Sequence, residues 1–233
     1  MEKEIENSLK FWNEAYKGEE AEVLKEEDYV LPKEMQPIFN TLMDKCPVIL
    51  DYGCGEGRML YTAAHCKKSQ KLYGVEKGEY IVKFLNGMIK ANHFENDIKI
   101  IDGGLKALDK FEDGSIDGII ISNVLDIVTK DVADDILKGL LRVLKKDGYM
   151  MLKLNQYETK EELDKDGRFV NFKDNMYSYQ GVMRIRECTT DEWRKWFSPY
   201  FTEEMYADVT YQSTTFFDRL FLLKRSKKLI SYS

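Results

Sequence analysis

The sequence predicts an α/β fold, a doubly wound sheet with helices on both faces, and three observations carry that reading. From residue 47 to 154, short apolar runs alternate with segments of helical period, the pattern of parallel strands joined by crossover helices. One run, residues 116–122, is almost continuously apolar, as a strand buried on both faces must be. The first run empties into Asp51-Tyr52-Gly53-Cys54-Gly55-Glu56-Gly57, with glycine at every second position, before a helical pattern starts at Met59-Leu60-Tyr61. Glycines so spaced let the chain turn sharply and let another group approach its backbone.

The elements follow in order. Residues 3–27 are rich in Glu and Lys, with Leu9, Phe11, Trp12, Ala15 and Tyr16 at roughly helical spacing, which predicts one or two amphipathic helices ahead of the sheet. Pro32 and Pro37 bracket a turn and open a helix that ends near Met43. A strand over 47–51 precedes a helix over 57–66. A second strand, 71–75, ends in Glu76, and Ile81, Phe84, Leu85, Met88 and Ile89 line one face of a helix over 79–92. A third strand, 98–101, ends in Asp102, and the fourth is the apolar run at 116–122. A helix over 131–145 is stopped by Lys145-Lys146-Asp147-Gly148, and a fifth strand covers 149–154. Residues 155–187 are polar, tyrosine-rich and too long for an ordinary connection, so they read as a substrate-covering insertion. Thr189 or Thr190 caps a last helix, and two strands are expected at about 204–211 and 219–224. The chain reads as one domain, 1–233: N-terminal cap helices over 1–45, a core over 46–154, the insertion over 155–187, and the final helix and strands over 188–233.

Composition narrows the function. The 233 residues carry a net charge of −6, whereas nucleic-acid binding needs a basic face. The one basic run, Lys224-Arg225-Ser226-Lys227-Lys228, fits a solvated tail, so a polynucleotide partner is disfavoured. Cysteines 46, 54, 66 and 188 have no C-x-x-C or metal-ligand spacing, which fits a reducing cytoplasm and no bound metal. No apolar run reaches the length of a membrane span, and the charged N-terminus has no signal-peptide core.

The chemistry lies in three acids, Asp51, Glu76 and Asp102, each at the exit of one of three successive strands. Ligands of open α/β sheets bind outside the carboxyl ends of the strands, so the three carboxylates line one crevice. The loop is G-x-G-x-G, one residue short of the G-x-G-x-x-G that cradles a pyrophosphate. An acid ahead of it suits an adenosyl ligand carrying positive charge and no phosphate. Glu76 stands where an acid accepts hydrogen bonds from both ribose hydroxyls. Asp102 is placed for an adenine amino group, with Gly103 letting the backbone approach the ring.

With these residues in place, the chain resembles the class I S-adenosylmethionine-dependent methyltransferases of the small-molecule type (methyltransferase type 11/25-like). Leu50-Asp51-Tyr52-Gly53-Cys54-Gly55-Glu56-Gly57 resembles the family's first motif and Val75-Glu76 its second. Residues 111–117 resemble the stretch entering the fourth strand, and 141–149 the entry to the fifth. Phe11-Trp12-Asn13-Glu14-Ala15-Tyr16 is similar to a lid helix before many such domains, although Trp12 equally suits plain core. The resemblance implies a Rossmann-like, seven-stranded sheet with one antiparallel strand. It implies S-adenosylmethionine as cofactor, S-adenosylhomocysteine as product and a small-molecule methyl acceptor. Asp51, Gly53, Cys54, Gly55 and Gly57 then lie near the methionine moiety, and Ser122 or Asn123 offers a backbone carbonyl to its amino group. Trp12 and Tyr16 close over the ligand. Lys77 stands where an apolar residue often packs on adenine, and Asp102-Gly103-Gly104 replaces the commoner Asp-Ala.

Asp126 follows the fourth strand, where related enzymes often carry a histidine. Its residue type suits a general base, an acceptor for a cationic substrate amine, or a helix cap. His65 and His93 fall in flanking helices and read as structural or exposed; Cys54 reads as packing in a loop that needs small residues. Arg184 and Arg186 share a face if their segment is a strand, to hold an acidic substrate group or to pair with surface glutamates. Two other functions fit less well: a binding protein that retains the nucleoside site without catalysis, and an NAD-dependent oxidoreductase, which lacks its glycine spacing and a Tyr-x-x-x-Lys pair here.

Overall fold

The computed structural model describes residues 2–66, 71–211 and 217–226. It begins with helix α1 (Glu2–Glu14) and, after a short 3-10 turn at Glu26–Tyr29, helix α2 (Gln36–Lys45), whose first turn holds Pro37. The alternating core follows: β1 (Val48–Tyr52), α3 (Arg58–Cys66), β2 (Lys71–Glu76), α4 (Glu79–Ala91), β3 (Ile98–Asp102), β4 (Ile116–Ser122), α5 (Lys130–Val143) and β5 (Leu144–Leu154). Helix α6 (Lys160–Asp166) leads into three short strands, β6 (Phe169–Lys173), β7 (Met176–Tyr179) and β8 (Val182–Arg186). Helix α7 (Thr190–Phe197) and the long strands β9 (Phe201–Thr210) and β10 (Phe217–Arg225) complete it.

Seven strands form the main sheet in the order β3-β2-β1-β4-β5-β10-β9. β1 to β5 pair in parallel, and β10 runs antiparallel to both of its neighbours. The seven-stranded, Rossmann-like sheet with one reversed strand is therefore present. Period-two alternation assigns its side chains to two layers. Ile49 and Ile120 pack with Phe39, Leu42, Leu60 and Leu85 under α2, α3 and α4, whereas Ile119, Ile121 and Leu50 pack with Leu137, Leu140 and Trp193 under α5 and α7. Each such fully buried side chain contributes about 1.5–3 kcal/mol. The carboxyl ends of β1 to β5 and β9 emerge at one edge, where the start of the reversed strand β10 also lies.

Several details differ from the expectations. The fifth strand starts at Leu144 rather than 149, and helix α5 ends at Val143. Lys145-Lys146-Asp147-Gly148 is not a turn: Leu144 already pairs with Ile116, a register shift follows, and Lys145 binds Asp117 at 2.6 Å. Gly148 serves close approach instead, since a Cβ there would lie 2.8 Å from the Asp117 carbonyl oxygen. The stretch 155–187 holds α6 and a separate three-stranded antiparallel sheet, β6-β7-β8. Helix in the N-terminal segment stops at Glu14. His93 lies past the end of α4 with φ +60°, not inside it. Lys227 and Lys228 of the basic run lie outside the described residues. Among the described residues no helix is long and apolar enough to cross a membrane.

Candidate functional site

The glycine loop leaves β1 through three left-handed residues, Gly53 (φ +69°), Gly55 (+53°) and Gly57 (+86°), a conformation that costs other residues about 1–2 kcal/mol each. A Cβ on Gly53 would press on Val124 at 2.5 Å, whereas one on Gly55 would meet nothing within 4 Å. The loop is anchored to β2 from both ends of one residue pair. Gly53 N–H and Cys54 N–H donate to the Val75 carbonyl (2.8 and 3.2 Å), and Gly55 N–H donates to Glu76 Oε2 at 2.8 Å. Glu76 Oε1 accepts from Lys77 N–H at 2.8 Å. Burial raises the Glu76 pKa, and those two backbone donors oppose the rise.

Asp51 lies beneath the loop, 2% exposed, and its Oδ1 has no hydrogen-bond partner among the described residues. Burial, reinforced by the Glu76 charge, pushes its pKa up to about 8. A buried, unpartnered carboxyl beside a cavity is an open demand for a donor, best met by a cation.

A cavity of about 580 Å³ opens over this edge of the sheet. Its floor includes Gly53, Gly55, Val75, Glu76, Lys77, Gly103 and Gly104, and Ser122, Asn123 and Val124 form the wall at the end of β4. Its roof is α1, through Ile5, Leu9 and Trp12, with Tyr16 in the turn just past the helix. Burial, with Glu56 and Glu76 nearby, pushes the Tyr16 hydroxyl up to about 12. Three contacts seat the roof. Ser8 Oγ accepts from Met183 N–H at 2.9 Å, and Asn13 Oδ1 accepts from Tyr80 N–H at 2.9 Å in the first turn of α4. The Arg184 guanidinium lies 4.6 Å from the Phe11 ring and 4.8 Å from the Trp12 ring. The small sheet thus holds the N-terminal helix over the cavity.

Most of the expected site residues gather here: Gly53, Gly55, Glu76, Lys77, Gly103, Ser122, Asn123, Trp12 and Tyr16 line the large cavity. Asp51 and Cys54 line a smaller one beside it. Gly57 lines neither but sets the turn into α3, where a Cβ would lie 2.6 Å from Tyr61. Asp102 pairs with Glu76 in register and is exposed; its successors line the cavity in its place. His65 stacks on Tyr29 at 4.0 Å, away from the site.

Asp126 lies behind the wall, 2% exposed and lining neither cavity. Its Oδ2 accepts from Asn155 N–H (2.6 Å) and Asn155 Nδ2 (2.8 Å), and Asn155 Oδ1 accepts from Asn123 Nδ2 at 2.6 Å. Asn123 stands at φ +53°. Burial raises the Asp126 pKa; the Asn155 donors and the Arg219 charge work against that. Arg184 and Arg186 both lie on β8 yet line neither cavity: Arg186 is 6% exposed and covers the Trp193 ring at 4.3 Å.

Sequence reasoning missed Asn155 and a triad at the ends of β5, β9 and β10. Lys153 Nζ donates to Asp218 Oδ2 (2.6 Å) and to Tyr211 Oη (3.2 Å), and Tyr211 Oη donates to Asp218 Oδ2 (3.0 Å). The signal was present in Met150-Met151-Leu152-Lys153-Leu154: a lysine inside a buried strand needs a partner.

Residues 44–201 match the family model described as a methyltransferase domain. No curated protein matches the chain in sequence. Among solved structures, the PH0226 protein from Pyrococcus horikoshii OT3 is similar at a TM-score of 0.68 and 18% identity, over 91% of this chain and 99% of that one. The 1,6-didemethyltoxoflavin-N1-methyltransferase of Burkholderia thailandensis, crystallised with 1,6-didemethyltoxoflavin and S-adenosylhomocysteine, gives 0.64 at 15% identity, over 84% and 79%. The geranyl diphosphate C-methyltransferase of Streptomyces coelicolor A3(2), with Mg2+, geranyl diphosphate and S-adenosyl-L-homocysteine, gives 0.64 at 14%, over 95% and 98%. At these identities the likeness is one of fold.

Proposed function

The chain belongs to the methyltransferase-domain family, and from that premise we propose that it transfers a methyl group from S-adenosylmethionine to a small-molecule acceptor by in-line displacement. The observation that carries the reading is the glycine loop tied to Glu76 over a buried Asp51 whose Oδ1 lacks a partner among the described residues. These residues suit the donor: Asp51 faces its ammonium, and Glu76 offers acceptor lone pairs to a ribose diol. The backbone at Gly103 and Gly104, with the stem of Lys77, borders the purine. When bound, S-adenosylmethionine supplies a methyl group already activated on a sulfonium.

The protein's work is then alignment and exclusion of water, and alignment alone supplies up to about 7–11 kcal/mol. In this reading the chain acts as one domain, with residues 1–45 as the lid: Trp12 and Tyr16 cover the cavity. Asp126 acts through Asn155 to hold Asn123 in its left-handed conformation at the wall, so it positions the site rather than touching the acceptor. Two of the structural neighbours are named for small-molecule acceptors, which supports that class here.

Incubation with S-adenosylmethionine and pools of small acids, phenols and amines, followed by mass spectrometry, tests the reading. A product heavier by one methylene, formed together with S-adenosylhomocysteine, is expected from one pool. Binding of S-adenosylhomocysteine with no turnover in any pool would leave a donor-binding protein in its place.

A further inference from the structure

The large cavity extends beyond the residues assigned to the donor. Those lie on the glycine loop, at Glu76 and Lys77, at Gly103 and Gly104, and at the end of β4. Another part of the lining is apolar: Ile5 and Leu9 of α1, Ile127 and Val128 of the β4–α5 connection, and Met183 of β8. Two hydrogen bonds bring these three elements together. Met183 N–H donates to Ser8 Oγ at 2.9 Å, and Arg186 N–H donates to the Asp126 carbonyl at 2.8 Å, so β8 is fastened both to α1 and to the connection. Met183 is buried, whereas Ile5, Leu9, Ile127 and Val128 are only half-buried and keep apolar surface uncovered. Charge is scarce around them. Among the described residues Lys77 is the one cation in the lining, and its stem borders the purine in the proposed reading. The carboxylates are Glu76, which binds two backbone donors, and Asp135, which is exposed. Arg184 follows Met183 in β8 yet stays out of the lining, over the Phe11 and Trp12 rings.

We infer that this apolar lobe, between α1, the β4–α5 connection and β8, is the acceptor pocket, and that it selects an uncharged molecule with an apolar skeleton. The assignment rests on the proposed methyl transfer and adds the acceptor class to it. An apolar skeleton covers the exposed faces of Ile5, Leu9, Ile127 and Val128, a gain in proportion to the area taken from water. A carboxylate, phosphate or ammonium in the lobe would lose its hydration with no opposite charge to replace it. Transfer to a neutral lone pair balances. That pair forms the new bond to CH3, the C–S pair stays on sulfur, and the donor's positive charge passes to the product. Any proton on the attacking atom leaves to water afterwards. The fresh charge is then mismatched with the lobe, which favours release of the product.

The test uses the full chain saturated with S-adenosylhomocysteine and titrated at neutral pH with three bicyclic probes: quinoline, which is uncharged there, 2-naphthoate and 2-naphthylmethylamine. Quinoline is expected to bind at least about tenfold tighter than either charged probe. Ile127→Lys places a cation in the lobe and should reverse the order of quinoline and 2-naphthoate, with S-adenosylhomocysteine affinity changed less than about threefold. Leu9→Ala, the milder change, should weaken quinoline severalfold. Failure of quinoline to bind the loaded protein, tighter binding of either charged probe, or quinoline affinity unmoved in both variants overturns the assignment. So does a loss of S-adenosylhomocysteine affinity of about tenfold in a folded Ile127→Lys variant, which would make the lobe part of the donor site. Failure of the unaltered protein to bind S-adenosylhomocysteine at all would instead sink the methyl-transfer reading.

Discussion

Replacing Asp51 by Asn separates the stability of the site from its use. In the ligand-free protein the buried Asp51 carboxyl has its pKa raised from 3.8 to about 8, so the folded state keeps a proton that the unfolded chain has lost. Where the folded state binds more protons, stability falls as pH rises. The loss begins near pH 4, amounts to about 1.4 kcal/mol for each pH unit, and ends as pH passes about 8. Asn keeps the shape and removes this slope, so Asp51→Asn is expected to be the more stable protein at about pH 8. Ligand binding reverses the balance. A cationic ammonium against Oδ1 favours the ionised carboxylate, so binding at neutral pH expels a proton and affinity rises with pH, by up to tenfold per unit below about 8. Calorimetric titration with S-adenosylhomocysteine at about pH 6.5, in two buffers of different ionisation enthalpy, measures that proton directly. Release of close to one proton is expected from the unaltered protein and clearly less from Asp51→Asn. Equal proton release in both proteins would refute the reasoning.

Substitutions at three further positions probe the loop, the wall and the roof. Gly55→Ala puts a methyl into open space at φ +53°, costing about 1–2 kcal/mol of stability; S-adenosylhomocysteine affinity should fall more than about tenfold, and a lowered Tm with unchanged affinity would mean that the loop does not face the donor. Asp126→Ala strands two Asn155 donors at about 1–3 kcal/mol each and should weaken donor binding, whereas Asp126→Asn keeps an acceptor and most of the turnover. Lost turnover with intact affinity in Asp126→Asn would make Asp126 a general base. Arg184→Ala removes the guanidinium shared by Phe11 and Trp12, a contact of about 0.5–1 kcal/mol per ring; a several-fold faster release of S-adenosylhomocysteine is expected in stopped flow, and an unchanged rate would free the roof from any role as a lid.

The parts of the fold legible in the sequence were those governed by local pattern. Apolar runs with period-two or helical spacing located β1 to β5 and the helices between them within a few residues, because burial on both sheet faces leaves little choice of residue. The glycine loop and Glu76 were legible for a related reason: left-handed backbone at Gly53, Gly55 and Gly57 restricts residue type. What escaped depends on long-range pairing. Leu144 begins a strand only because Ile116 lies beside it, a contact between residues far apart in sequence. Asp126 looks like a site residue from its position after β4, and only its distance to Asn155 turns it away from the cavity. The Lys153 triad joins β5 to residues 58 and 65 positions further along the chain, and no local motif encodes that.

The central claim is that this cavity holds an adenosyl methyl donor. Titration of the unaltered protein with S-adenosylhomocysteine, with NAD in parallel, tests it most directly. The account predicts micromolar binding of S-adenosylhomocysteine, no comparable binding of NAD, and loss of binding in a folded Glu76→Ala variant. Tight binding of NAD with none of S-adenosylhomocysteine, or S-adenosylhomocysteine affinity untouched by Glu76→Ala, would contradict it.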